Sequence, residues 1–247
     1  MAKTHSNLIG IAITEKSVQV VECRGAGSSA KAAKRISFAV EGSTLFDAPD
    51  RFGKQLAEQL QQAGCTSKHA AVGLCGRWVL ARAMTLPPVE GDALAGMLRL
   101  KIEGEFAGGQ GELCFDYQDA PLPDAAKTKS DQRGFLLAGM PKRRLESIRT
   151  AMTAAGLTLQ SVSASPLDID SSAGSELDLI IDPAGITLRR SIAGRTVGFA
   201  SAGFDTAGLV DAPDAAERLA ATATRLAMSH FSDAVGASNG VGLTDTA

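Results

Sequence analysis

Two distant stretches of this chain share one pattern, and that repetition limits the folds open to it. Asn7 to Glu22 reads NLIGIAITEKSVQVVE. Leu8, Ile9, Ile11 and Ile13 form a β-rich apolar run, Thr14-Glu15-Lys16-Ser17 a polar turn, and Val18, Val20 and Val21 a second run. Leu177 to Phe199, LDLIIDPAGITLRRSIAGRTVGF, has the same texture. There Leu177, Leu179, Ile180 and Ile181 lead through Asp182-Pro183-Ala184-Gly185 into Ile186, Thr187 and Leu188. Each hairpin opens its own half, and two such openings predict a duplicated α/β architecture.

Length and composition fit that plan. The 247 residues suffice for one large or two modest domains. Aromatic residues make up only 4%, so the core has to be aliphatic, with close contacts between helices and sheets. A net charge of −2 gives no reason to expect nucleic acid or an anionic membrane surface as a partner. Cys23, Cys65, Cys75 and Cys114 lack C-x-x-C spacing and sit in or beside apolar runs, as reduced thiols of a cytosolic protein do. Leu8–Ile13 is too short for a secretory signal and nothing approaches a membrane span. If the protein works at a membrane, something else is expected to hold it there.

Between the hairpins the pattern alternates. Gly25–Ala30 is a flexible connection without the Gly-Lys-Ser/Thr ending of a phosphate loop. Arg35–Val40 reads as a strand. Asp50–Ala63 reads as a helix with Phe52, Leu56 and Leu60 on one face, and Ala70–Cys75 and Val79–Leu86 as strands. After Pro87-Pro88 the texture changes. Asp92–Phe106 predicts a helix striped by Leu94, Leu98, Ile102 and Phe106, with Arg99/Glu103 and Lys101/Glu105 as charge pairs on its outer face. Strands follow at Leu113–Gln118 and Gly134–Met140 around a polar tip at Pro121–Gln132. A helix then runs from Pro141 to Ala155, and a strand from Leu159 to Ala164. Lys142, Arg143 and Arg144 crowd the first turn of that helix, where positive charge is mildly unfavourable. They read either as solvated side chains or as a small contact patch for an anionic partner. A last helix starts near Pro213, with Ala216, Leu219, Ala223 and Leu226 on one face, and Gly236–Ala247 reads as a disordered tail.

Conventional catalysis is not visible. His5, His69 and His230 form no pair at metal spacing, and no G-x-S-x-G elbow is present. Carboxylates fall in no pattern that implies paired acid–base work.

The chain resembles the PilM-type actin-like proteins of type IV pilus assembly, in the actin/Hsp70/sugar-kinase superfamily. Ile9 to Glu22, IGIAITEKSVQVVE, is similar to that family's opening V-G-L-D-I-G-S-S-x-V-K-V-V-E. Ala81 to Gln118, Phe135 to Pro166 and Leu179–Asp182 resemble its later phrases in the same order. The resemblance implies an actin-like (ribonuclease H-like) duplicated α/β fold with an inserted α/β subdomain and a reduced second half. The first subdomain is expected over Met1–Leu86 and Leu157–Gly174, the insert over Pro87–Gly156, and the abbreviated second half over Ser175–Val235.

The departures from the family bear on function. Ala12 stands where the family has an aspartate and Thr14 where it has glycine. Glu15 and Lys16 replace two serines, and Gln19 replaces a lysine. Asp182 survives, but the turn after it is short, and only Asn239–Gly242 suggests the later Gly-Gly segment. These positions imply a degenerate nucleotide site, with neither ATP nor magnesium as cofactor. Glu15 near a phosphate costs about 1–4 kcal/mol, depending on the dielectric. The resemblance further implies a non-catalytic cytoplasmic scaffold. Its partner is the cytoplasmic N-terminal segment of a bitopic inner-membrane assembly protein, which holds it at the membrane. Lys142, Arg143, Arg144 and the Arg99–Glu105 face are candidate contacts for a second, acidic partner such as a motor ATPase. The similar cytoplasmic domain of GspL-type secretion proteins and a working actin-like ATPase or kinase are the alternatives.

Overall fold

β1 (Asn7–Ile13) alternates inward and outward residues, and the inward set is Ile9, Ile11 and Ile13. Its antiparallel partner β2 (Ser17–Arg24) places Val20 opposite Ile11 and turns Val18 and Val20 into the same core. β2 also buries Glu22, whose Oε1 accepts hydrogen bonds from the Thr66 and Ser67 amides at 2.8 Å each. Burial pushes that carboxyl's pKa up. The bonds from Ser67 and Thr66, with Lys34 and Arg24 nearby, outweigh it, and the net shift is downward.

The computed structural model describes residues 7–25, 30–41, 43–105, 112–122, 132–169, 175–183, 185–204 and 214–231. The Pro121–Gln132 tip, the Gly236–Ala247 tail and Asn239–Gly242 thus lie wholly or largely outside the described residues. β3 (Lys31–Ala39), β4 (His69–Leu74) and β8 (Thr158–Ala164) complete a five-stranded sheet in the order β3-β2-β1-β4-β8. β4 runs parallel to β1 and to β8. A short helix α1 (Ser43–Asp47) leads into α2 (Pro49–Gln62), which packs beside α4 (Lys142–Ala154). Phe52, Leu56, Ile148 and Met152 join the strand residues in one core. The two helices cross so closely that a Cβ at Gly53 would lie 2.3 Å from the Ala151 carbonyl.

A second unit holds β5 (Leu80–Leu86), α3 (Gly91–Glu105), β6 (Leu113–Ala120) and β7 (Arg133–Pro141), with its sheet ordered β5-β7-β6. Leu94, Leu98 and Ile102 of the expected helical stripe are buried against Met84, Leu86 and Phe135. Phe106 lies outside the described residues. The boundaries of this unit differ from those expected at Pro87 and Gly156. β5 belongs to the insert because it pairs with β7 along its whole length. α4 belongs to the first unit because its apolar face, Ile148 and Met152, completes that core. Pro87-Pro88 is a bend inside the insert. The chain leaves the first sheet one strand earlier, at a 3-10 turn, Gly76–Trp78.

The third unit is a meander of β9 (Leu177–Asp182), β10 (Gly185–Ile192) and β11 (Arg195–Gly203), covered by α6 (Ala215–His230). The second hairpin phrase therefore holds three strands. Ala193 and Gly194 both take positive φ, 49° and 73°, and form the tight turn between β10 and β11. α6 buries Ala215, Thr222, Leu226 and Ala227 and packs Leu219 against the same core, so Leu219 and Leu226 face inward as expected, whereas Ala216 is exposed. The sheet stops at three strands, so one narrow helical face covers it. β1 and β9 lie in separate sheets, as a duplicated architecture requires.

One buried ion pair ties this unit to the first. Arg189 of β10 and Asp178 of β9 have side chains 1% and 8% exposed, with Nη2 to Oδ2 at 2.8 Å. Arg189 Nη1 donates to the carbonyls of Pro166 at 3.1 Å and of Ile169. Pro166 lies in the short helix α5 (Ser165–Asp168) that follows β8. Removing one partner strands a buried charge, which costs about 3–5 kcal/mol, whereas replacing both by apolar residues is near neutral. Urea denaturation should therefore show Arg189→Leu strongly destabilised and Arg189→Leu/Asp178→Leu recovering most of the loss. Equal, additive losses would contradict this.

Candidate functional site

The turn after β1 is closed by its own side chain. Thr14 Oγ1 accepts the amides of Lys16 at 3.3 Å and Ser17 at 3.0 Å, and it donates to the Ser17 carbonyl at 3.1 Å. The Thr14 amide bonds the same carbonyl at 2.9 Å. A glycine here would leave those two amides without this acceptor. Ala12 lies between Gln19 of β2 and Gly73 of β4 in the sheet, and Gln19 is exposed. Glu15 reaches across to Arg77 in the 3-10 turn, with Oε2 2.5 Å from Nη1.

The second hairpin turn comes to the same place. Cys75, at the end of β4, is buried, and burial pushes its thiol pKa up to about 12, with the charges of Asp182 and Glu15 adding to the effect. Asp182 and Glu15 thus act on one point from the two hairpins. The halves touch directly beside it. A Cβ at Gly76 would lie 2.3 Å from Ser201 Oγ and 3.1 Å from Thr187 Oγ1, which are themselves hydrogen-bonded at 2.7 Å. Arg77 lies against Gly203 in the same way, 3.1 Å from where a Cβ would stand. Among the described residues, no cluster of three or more His, Cys, Asp or Glu side chains is arranged to hold a metal.

The basic run at α4 separates into two environments. Lys142 pairs with Glu112 at 2.9 Å, which raises the lysine pKa and lowers that of the glutamate. Arg143 and Arg144 instead line a groove of about 670 Å³ with Glu15, Asp47, Phe46 and Trp78. The structure therefore brings two of the three predicted contact residues beside one of the predicted turn positions. Nothing in the sequence placed them together, because α1 and the 3-10 turn that complete the groove have no periodic signal of their own.

A different groove, about 330 Å³ and largely apolar, lies between the insert and the first sheet. Val79, Met140, Leu145, Val162 and Leu167 line it, with β6 on one side and β8 on the other. Both are edge strands of their sheets, and edges carry unpaired backbone groups. Phe115 and Tyr117 of β6 stay 38% and 41% exposed. This groove was not legible in the sequence, because edges depend on sheet order.

No family model and no curated protein matches the chain. Solved structures do. The PilM–PilN type IV pilus biogenesis complex matches over 93% of this chain and 74% of that chain, at a TM-score of 0.68 and 15% identity. The cytoplasmic domain of EpsL, an inner membrane component of the type II secretion system of Vibrio cholerae, matches over 80% and 71%, at 0.57 and 15% identity. The chain has the actin-like fold. Glu15 and Asp182, one from each hairpin turn, both act on Cys75. No described helix is long and apolar enough to cross a membrane.

Cys75 gives a direct readout of that junction. With its thiol buried and its pKa near 12, it should resist iodoacetamide at pH 8 in the native protein and react only on unfolding. Labelling of native Cys75 as fast as in the unfolded chain, followed by peptide mass mapping, would show the junction to be open.

Proposed function

We propose that this chain is a non-catalytic scaffold of a type IV pilus-like assembly machine. In this reading it holds an extended, apolar cytoplasmic segment of an inner-membrane assembly protein. The observation that carries the reading is the apolar groove between the edge strands β6 and β8. An extended segment can extend either sheet through backbone hydrogen bonds, while alternate side chains enter the groove. The likeness to the PilM–PilN complex supports a partner of that kind, and the likeness to EpsL keeps a type II secretion machine as the second setting. Such a partner would hold the protein at the membrane.

The same reading makes the nucleotide position inactive. The amides that a phosphate would need are taken by Thr14, and Glu15 brings a carboxylate to that turn. Ala12 supplies no metal ligand, and Gly76 and Arg77 fill the junction against Ser201, Thr187 and Gly203. The residues present do not fit a magnesium nucleotide.

Two measurements test this. Calorimetry with Mg-ATP should give no saturable binding, and Ala12→Asp alone should not restore it; micromolar binding by the unaltered protein would refute the inactive site. A synthetic peptide of the cytoplasmic N-terminus of the PilN-type protein from the same genome should bind the unaltered chain. Ala138→Trp, which fills the groove from β7, should weaken that binding at least about tenfold, a loss of about 1.4 kcal/mol. A folded, monodisperse protein that binds no such peptide would overturn the scaffold reading.

A further inference from the structure

The groove between α1 and α4 is separate from the one between β6 and β8, and its charges are arranged differently. Arg144 is half-buried, and its position is fixed from two sides. Its guanidinium lies 5.1 Å from the centre of the Phe46 ring, and Nη1 donates to the Trp78 carbonyl at 3.4 Å. Phe46 in turn stands edge-on to Trp78, with centroids 4.9 Å apart and planes at 81°. Among the described residues no carboxylate pairs with Arg144, although Arg143 lines the groove beside it. A guanidinium held over an aromatic ring in a groove is prepared for a planar anion, because its fork of donors matches a carboxylate.

The acidic groups of the groove narrow the ligand further. Glu15 is already engaged by Arg77 at 2.5 Å, and Asp47 sits at the end of α1. A polyphosphate placed on Arg144 would share the groove with both carboxylates, Glu15 and Asp47, and be repelled by them. A single carboxylate brings less negative charge beside them, and a cationic neighbour is matched by Asp47. We propose that this groove is a second docking site, for a segment of a partner protein in which an Asp or Glu seated on Arg144 adjoins a Lys or Arg facing Asp47. The site needs neither the occupant of the other groove nor a nucleotide.

Trp78 is the only tryptophan in the chain and lines this groove, so its emission reports on it. A synthetic positional-scanning peptide library is the probe, followed by fluorescence titration of the selected peptides. Titrations with ATP and with phosphatidylglycerol vesicles run alongside. The library should select an acidic residue next to a basic one, and the selected peptides should change Trp78 emission. A charge-assisted bond is worth about 1.5–3 kcal/mol, so Arg144→Gln should weaken those peptides about 10- to 100-fold. Asp47→Lys, at an exposed position that leaves the aromatic pair intact, should shift the selection towards peptides without the basic residue. Four results would overturn the proposal: no selection, selection indifferent to acidic residues, a Trp78 response to ATP or vesicles in place of peptide, or selected peptides unaffected by both substitutions.

Discussion

The arrangement of the two halves depends on a buried guanidinium. Arg189 carries its charge into the interior, where Asp178 and the backbone carbonyls of Pro166 and Ile169 receive it. A charge so placed tolerates little movement, because each donor lost leaves an unsatisfied group in a medium of low dielectric. Asp178 belongs to the same meander as Arg189, but Pro166 and Ile169 belong to the return segment of the first half. The pair therefore fixes how β10 sits against α5. It also fixes Thr187 and Ser201, which press on Gly76 from the same meander.

Open surface is left away from this contact. At the meeting of the hairpin turns the space goes to direct contact between the halves, with Glu15 and Arg77 paired at its rim. Between the insert and the first sheet, by contrast, the apolar groove lined by β6 and β8 remains. Thr14 engages the amides of the turn after β1, while the apolar groove stays open. α1 and α4 add a polar groove that Glu15 also lines, so the two grooves differ in chemistry.

Much of the fold was legible because its signals are periodic. The inward rows Ile9, Ile11, Ile13 and Leu94, Leu98, Ile102 are visible in the residues alone, and both are buried where their periods put them. The likeness of Ile9–Glu22 to a known opening phrase supplied the arrangement of the units, which no period encodes. What escaped has a common cause, dependence on tertiary pairing. The border of the insert falls at Gly76, marked by a tight contact with Ser201 that no local signal announces, while the conspicuous Pro87-Pro88 is only a bend. Lys142, Arg143 and Arg144 are adjacent in sequence, yet the first goes to Glu112 and the others face Phe46 and Trp78. Arg189 looks like an ordinary charged residue of an exposed strand. Only the sheet order shows it to be interior.

Hydrogen exchange read by mass spectrometry compares the two possible centres of action in one experiment. The protein is measured alone, with the PilN-type peptide, and with Mg-ATP. If the chain is a scaffold, the peptide slows exchange in β6 and β8, residues 113–120 and 158–164, and Mg-ATP leaves residues 14–17 and 182–187 unchanged. Protection of the two hairpin turns by Mg-ATP, with β6 and β8 indifferent to the peptide, would contradict the account.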